Sequence, residues 1–301
     1  MKMEAFNNRL LTREKVKMRD PAGATAVLKT LIEAGAGCLQ IITDFDYTIS
    51  KSRNSDGTIN CTTHRIFHAV ENGVDPSLKA ALAALTEKYH PIEMDPSMSN
   101  EEKLPHMEKW WQRSHDLIVQ AGFDRSLLEH YVQKANVELR DGFLEFLRLT
   151  EEDGIPVVIF SAGVGDVIEI VLRQQYGKVP PNVHIISNMM KLNHAGVVID
   201  FLPPLIHTFN KNRTVIQGER EFFQHLKGRP NVLMLGDTLG DLNMDVGVVN
   251  EGVIVKIGFL NQLVEKSLPA YLAGYDIVLT EDPTFEVPLD ILKSLIAHEK
   301  K

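Results

Sequence analysis

The sequence predicts an α/β protein built on a doubly wound parallel sheet, with a helical insertion early in the chain. Three observations carry this. Five short apolar runs recur, three of them ending in carboxylate or hydroxyl residues. Helical patterns lie between the runs. The stretch 56–136 lacks β-branched runs and reads as helices throughout.

Taken in order, Leu39 to Thr43 (LQIIT) reads as the first strand and ends at Asp44-Phe45-Asp46. Short continuous apolar runs suit strands covered on both faces. The insertion follows, with helix-like segments at Pro76 to Tyr89, Glu108 to Gln120 and Arg125 to Asn136. Leu139, Phe143, Phe146, Leu147 and Leu149 then fall near helical spacing in Leu139 to Glu152. Pro156 to Phe160 (PVVIF) is the second strand, ending at Ser161-Ala162-Gly163, and Gly165 to Tyr176 is the next helix. Met189 to Phe209 mixes Gly196, Pro203 and Pro204 with alternating apolar positions, which suggests a small β excursion. Asn231 to Leu235 (NVLML) ends at Gly236-Asp237, and Gly252 to Ile257 and Tyr275 to Leu279 complete the sheet. The expected division is a catalytic core of 1–55 and 137–301 with an inserted helical cap of 56–136. Hinges are expected near Ser52 to Gly57 and Asn136 to Gly142. In such a fold, sites form outside the carboxyl ends of the strands.

The chain has 301 residues, 44% of them hydrophobic, enough for a large core. A net charge of −8 argues against a nucleic-acid polymer as partner. Residues Met1 to Asp20 show no apolar leader, and no run approaches the ~18 apolar residues of a membrane span. Cys38 and Cys61 fit neither a disulfide framework nor a zinc spacing, so a reducing compartment is expected. A cytoplasmic monomer is the expectation. The eleven histidines, including His106, His115 and His207, show no metal-ligand spacing and read as structural or surface groups.

The chemistry sits at the strand ends. Asp44 and Asp46 are spaced so that one carboxylate can attack phosphorus while the other moves protons. Clustered carboxylates repel and call for a hard cation. Ser161, followed by the backbone of Ala162 and Gly163, suits a phosphate. Gly236-Asp237-Thr238-Leu239-Gly240-Asp241 adds two more carboxylates. Singly, each has a plain alternative: a polar turn, a helix cap, a structural loop, or, for Lys211, a solvated lysine.

Together, IITDFDYT, VIFS, Lys211 and MLGDTLGD resemble the haloacid dehalogenase superfamily from Leu39 to about Asp245. The resemblance implies that Asp44 is nucleophile and magnesium ligand, and that Asp46 is acid/base with its carbonyl on the metal. Asp237 and Asp241 would complete the Mg2+ site, and Ser161, Ala162, Gly163 and Lys211 would hold the phosphoryl oxygens. The segments YHPIEMDP and EKLPHMEKWW, with IFSAGVGD, LIHTFNKN and LGDTLGDLNM, resemble the cytosolic 5′-nucleotidase III family from about residue 15 to 290. That implies a nucleoside 5′-monophosphate substrate, with Glu93 accepting from the base edge and Ser114 at a further contact. Trp111 matches a position that resembles Trp in the 7-methylguanosine-preferring members and Tyr in the pyrimidine-preferring ones. This favours 7-methyl-GMP, with CMP also accepted; Ser114 resembles the pyrimidine-preferring branch too. Trp110 and Phe67 are further candidates for stacking. A pyrimidine-specific nucleotidase, a phosphotransferase, another small-molecule phosphatase and a silent nucleotide-binding protein are the competing readings.

Overall fold

The computed structural model describes residues 10, 13–69, 75–95, 97–211, 226, 228–245 and 252–299. In chain order these give β1 (Val16–Lys17), α1 (Pro21–Ala34), β2 (Leu39–Thr43), α2 (Ile66–Ala69), α3 (Pro76–Glu93), α4 (Asn100–Ala121) and α5 (Arg125–Ala135). Then come α6 (Phe143–Glu152), β3 (Val157–Val164), α7 (Gly165–Tyr176), β4 (Val183–Asn188), β5 (Met190–Leu192) and β6 (Val198–Phe201). The chain closes with β7 (Asn231–Gly236), β8 (Ile254–Leu260), α8 (Val264–Gly274), β9 (Ile277–Thr280) and α9 (Glu286–Glu299).

The main sheet runs β1-β9-β8-β7-β2-β3-β4, parallel except for the antiparallel edge strand β1. Its central strands alternate between two apolar layers. Ile41, Ile159, Leu233 and Leu235 pack into one layer, and Ile42, Val158, Phe160 and Met234 into the other. Both faces are covered, which is why these strands read as unbroken apolar runs. β5 and β6 form the separate two-stranded excursion expected between 189 and 209.

The helices α2 to α5 all fall within 56–136. α4 begins earlier than the sequence suggests, because Ser99 and Glu102 form a reciprocal capping box ahead of Pro105. α3 continues past Pro91 to Glu93, which places that carboxylate on the last turn of a helix. The two connections to the sheet lie side by side. Asn60 Nδ2 donates to both the Lys51 and the Glu138 carbonyls, at 2.9 and 2.8 Å.

Candidate active site

Three adjacent parallel strands are in register at the level where β2 ends. Thr43 pairs with Ile159 on one side and Leu235 on the other. The next residue of β2 keeps the ladder for one more step, Asp44 N–H donating to Leu235 O at 2.9 Å. The chain then turns sharply, the N–H groups of Thr48, Ile49 and Ser50 converging on Phe45 O, and Tyr47 takes φ 62°. A positive φ in an aromatic residue needs outside support. Arg140 supplies it. Its fully buried guanidinium donates to Tyr47 O at 2.6 Å and Thr48 O at 2.8 Å, and it also engages Asn261 and Asp282 at 2.7 Å each.

Asp44 is buried and faces Lys211, whose Nζ lies 2.5 Å from Asp44 Oδ1 and 2.8 Å from Asp241 Oδ1. Burial lowers the lysine's proton affinity, but Asp241 and Asp44 attract the ammonium more strongly and hold its pKa above the usual value. Asp241 is fully engaged. Its Oδ2 accepts from Thr238 N and Oγ1 at 2.9 Å each and from Asp237 N at 3.2 Å, so it shapes the loop that carries Asp237. Gly236 must be glycine here, since a Cβ would lie 2.5 Å from Asp241 Cβ.

Asp44, Asp237 and Asp241 each present an oxygen within 4.8 Å of the others. Three carboxylates around one ammonium leave excess negative charge in a confined space. Burial, then Asp241, push the Asp44 carboxyl up to about 7 against the pull of Lys211. Asp237 is driven well above the carboxylate range by burial and by Asp44 and Asp241. Such an all-oxygen, anionic donor set fits a hard divalent cation.

Asp46 is only half-buried. Burial raises its carboxyl to about 6, restrained by two hydrogen bonds from Thr63: N–H to Oδ1 at 2.9 Å and Oγ1–H to Oδ2 at 2.7 Å. Thr63 lies 17 residues downstream, in the insertion. Nothing in a lone threonine there announces the role, and the sequence reading misses it.

The Ser161–Gly163 segment differs in form from the expected turn at a helix N-terminus. Ser161 to Gly163 continue β3, and its pairing with β4 slips between Phe160 and Val164. This bulge redirects the backbone without ending the strand. Ser161 Oγ accepts from Gly163 N at 3.1 Å, and Asn188 Nδ2 clamps the carbonyls of Ala162 and Gly163 at 2.9 and 3.1 Å. A Cβ on Gly163 would lie 1.8 Å from Thr63 Oγ1 and 2.9 Å from Asp46 Oδ2. The glycine is what lets the Ser161–Gly163 segment approach Thr63 and Asp46.

Above the strand ends, α4 carries Trp110, Trp111 and Ser114. Trp111 Nε1 donates to Ala162 O at 2.8 Å, joining the insertion to the β3 bulge, and its ring has tilted contacts with His64 and His207 at centroid distances of 5.8 and 6.3 Å. Trp110 stands edge-to-face with Trp111 at 5.0 Å and stacks 6.0 Å from Tyr89. Ser114 is buried, and its Oγ has no partner among the described residues. Glu93 Oε1 accepts from Thr208 Oγ1 at 2.6 Å. Phe67, expected as a second stacking face, has no exposed surface and packs 5.2 Å from Phe123 in the main core. The structure places it in a different apolar cluster from Trp110 and Trp111.

A family model described as pyrimidine 5′-nucleotidase (UMPH-1) matches residues 47–296. The chain belongs to that family. It is a 5′-nucleotidase, a phosphoric monoester hydrolase with a haloacid dehalogenase fold. A putative cytosolic 5′-nucleotidase 3 of Caenorhabditis elegans is 42% identical over 95% of the chain and 78% of its own length. The 7-methylguanosine phosphate-specific 5′-nucleotidase of Gallus gallus is 40% identical over 95% of the chain and 98% of its own length. The crystal structure of cytosolic 5′-nucleotidase IIIB bound to cytidine superposes with a TM-score of 0.91 at 36% identity, covering 100% of this chain and 99% of that one.

Within this nucleotidase, Asp44, Asp237, Asp241 and Lys211 converge as one cluster, with Asp46 and the Ser161–Gly163 bulge linked through Thr63. The residues that hold them in place, Thr63, Arg140 and Asn188, carry no motif of their own.

Proposed function

We propose that the nucleotidase is magnesium-dependent and hydrolyses nucleoside 5′-monophosphates through an aspartyl-phosphate on Asp44, favouring 7-methyl-GMP and also accepting CMP. The observation that carries the chemistry is the buried contact of Asp44 with Lys211, two residues before an Asp46 that is itself held by Thr63.

Asp44, Asp237 and Asp241, with the Asp46 carbonyl, would hold Mg2+. When bound, the cation offsets the crowded carboxylates and the charge on the transferring group. An Asp44 oxygen attacks phosphorus; as that bond forms, the bond to O5′ breaks and Asp46 gives its proton to O5′. Asp46 then takes a proton from water, the water oxygen attacks phosphorus, and the bond to Asp44 breaks, returning the carboxylate. A carboxyl near 6 serves both directions of transfer. Lys211 and Ser161 to Gly163 would surround the phosphoryl oxygens. The Ser161 hydroxyl accepts from Gly163, which leaves its own proton for a phosphoryl oxygen.

We read 56–136 as the cap that covers the nucleotide and excludes water. Glu93 would accept from the base edge, with Ser114 as a further contact. Trp111 would offer its face to a 7-methylguanine ring, whose positive charge an indole attracts by ~0.5–2 kcal/mol. Trp110, stacked on Tyr89, supports that helix instead. The substrate is a single nucleotide and not a polymer, and the protein acts in the cytoplasm as a monomer.

A pyrimidine preference is the second reading, favoured by the family's description and by the cytidine in the solved relative. Phosphate release with magnesium from 7-methylguanosine, cytidine, uridine, guanosine and adenosine 5′-monophosphates separates the two. Fastest turnover of the methylated nucleotide is expected, whereas a preference for plain pyrimidines would discard the Trp111 account and keep the nucleotidase.

A further inference from the structure

Glu93 closes α3, at the negative end of the helix dipole. A carboxylate there is unfavourable unless a group outside the helix holds it. Glu93 is held at two points. Thr208 Oγ1 donates to Glu93 Oε1 at 2.6 Å. Lys103, buried on α4, donates to the Glu93 carbonyl at 2.9 Å, and its ammonium lies 5.4 Å from the ring centre of Phe209, next to Thr208. Side chain and main chain of Glu93 are therefore tied to one two-residue stretch of the catalytic core.

That stretch is stiff. His207 N–H donates to Asn210 Oδ1, Asn210 N–H to His207 O, and Phe209 N–H to His207 Nδ1. On its far side the turn rests against the loop of Asp237 and Asp241: a Cβ on Gly240 would lie 2.6 Å from Thr208 O. The same turn leads directly to Lys211. One rigid corner thus touches the base-reading carboxylate, the phosphoryl-binding lysine and the metal loop.

We propose that Thr208 is a positioning residue for base recognition. Its hydroxyl fixes one oxygen of Glu93 and leaves the other to accept from the base, at a distance from the phosphoryl site set by the turn to Lys211. Lys103 holds the Glu93 carbonyl, and so the backbone that carries this carboxylate. A carboxylate pinned this way favours a base with an N–H donor at that edge, such as the cytosine amino group, over one with a carbonyl there. The inference rests on the reading of Glu93 as the base acceptor.

The test compares kcat/KM for CMP with kcat/KM for ribose 5-phosphate, which lacks the base, in the full chain with magnesium. Thr208→Val is expected to lower this ratio ~10-fold or more, mainly through KM, as the loss of a hydrogen bond to a charged group predicts. Thr208→Ser should restore it, and adding Thr208→Val to Glu93→Ala should lower it no further. Lys103→Met should lower the ratio in the same direction, an independent reading should Thr208→Val not fold. An unchanged ratio in folded Thr208→Val, with Glu93→Ala still lowering it, overturns the positioning role; so does an equal loss on both substrates, which would assign Thr208 to Lys211 alone. An unchanged ratio in Glu93→Ala would remove the base-acceptor reading itself, and the inference with it.

Discussion

The strand-end side of the candidate site and the side built by α4 follow opposite principles. At the strand ends nearly every charged group is spoken for: Lys211 joins Asp44 to Asp241, Asp241 organises its own loop, and Thr63 holds both oxygens of Asp46. On the α4 side, Ser114 Oγ and His207 Nε2 are buried without partners among the described residues. An unpaired buried polar atom costs ~1–3 kcal/mol, so these two favour a ligand or a rearrangement that satisfies them. The first side is closed by its own hydrogen bonds and ion pairs; the second keeps polar atoms unsatisfied, as the proposed base-reading surface requires.

That contrast can be broken, starting with the largest effect. Asp44→Asn should lower turnover by more than ~10³-fold while the fold and melting temperature persist, and retained activity would take the nucleophile from Asp44. Chelation should also stop turnover, and magnesium should raise the melting temperature of the chelated protein. The Asp44 carboxyl is raised from 3.8 to about 7, so its contribution to stability is present below 3.8 and lost as pH climbs through about 7. The metal-free protein therefore weakens over that window, and the gain from magnesium should grow with pH across it. A gain that shrinks with rising pH would contradict the acidic cluster as the cation site.

Gly163→Ala should lower kcat ~10²-fold or more, because the new methyl would displace Thr63 from Asp46. Near-normal kcat would mean that the contact is dispensable. Thr63→Val removes one of the hydrogen bonds that lower the Asp46 pKa, so the limb of the kcat/KM profile set by Asp46 should move to higher pH. A tenfold loss in rate is the order of magnitude expected with it; an unmoved limb would leave Thr63 a purely structural role. The smallest effect belongs to the base side. Trp111→Tyr should shift the ratio of 7-methyl-GMP to CMP turnover by between ~2-fold and ~30-fold toward CMP. An unchanged ratio would dismiss the cation–π account.

The same contrast explains what could be read from the sequence. The central strands and their catalytic ends were legible because a buried parallel strand is an unbroken apolar run, and a carboxylate directly after one has few other reasons to be there. β4 was not, since Val183, His184 and Ile185 are only half-buried at the sheet edge and mix polar with apolar positions. Nor was β1, a two-residue antiparallel pairing to β9. α1 is absent from the sequence expectations, although Asp20 caps it by accepting from Gly23 N and Pro21 opens its first turn. Thr63 and Arg140 reach the site from loops 17 and more than 90 residues away from what they hold, and only tertiary packing reveals them. On the base side, Trp111 and Glu93 do meet the core, whereas Phe67 was drawn into it. A single aromatic residue in a helix looks alike in sequence whether it serves a ligand or a core.

The central claim is that the phosphoryl group passes through Asp44. Mixing the enzyme with magnesium and CMP, quenching in acid within a turnover and mapping the peptides by mass spectrometry tests it directly. The account predicts one phosphoryl group on the peptide bearing Asp44, absent from Asp44→Asn. Turnover without any labelled peptide, or a label on a different residue, would contradict it.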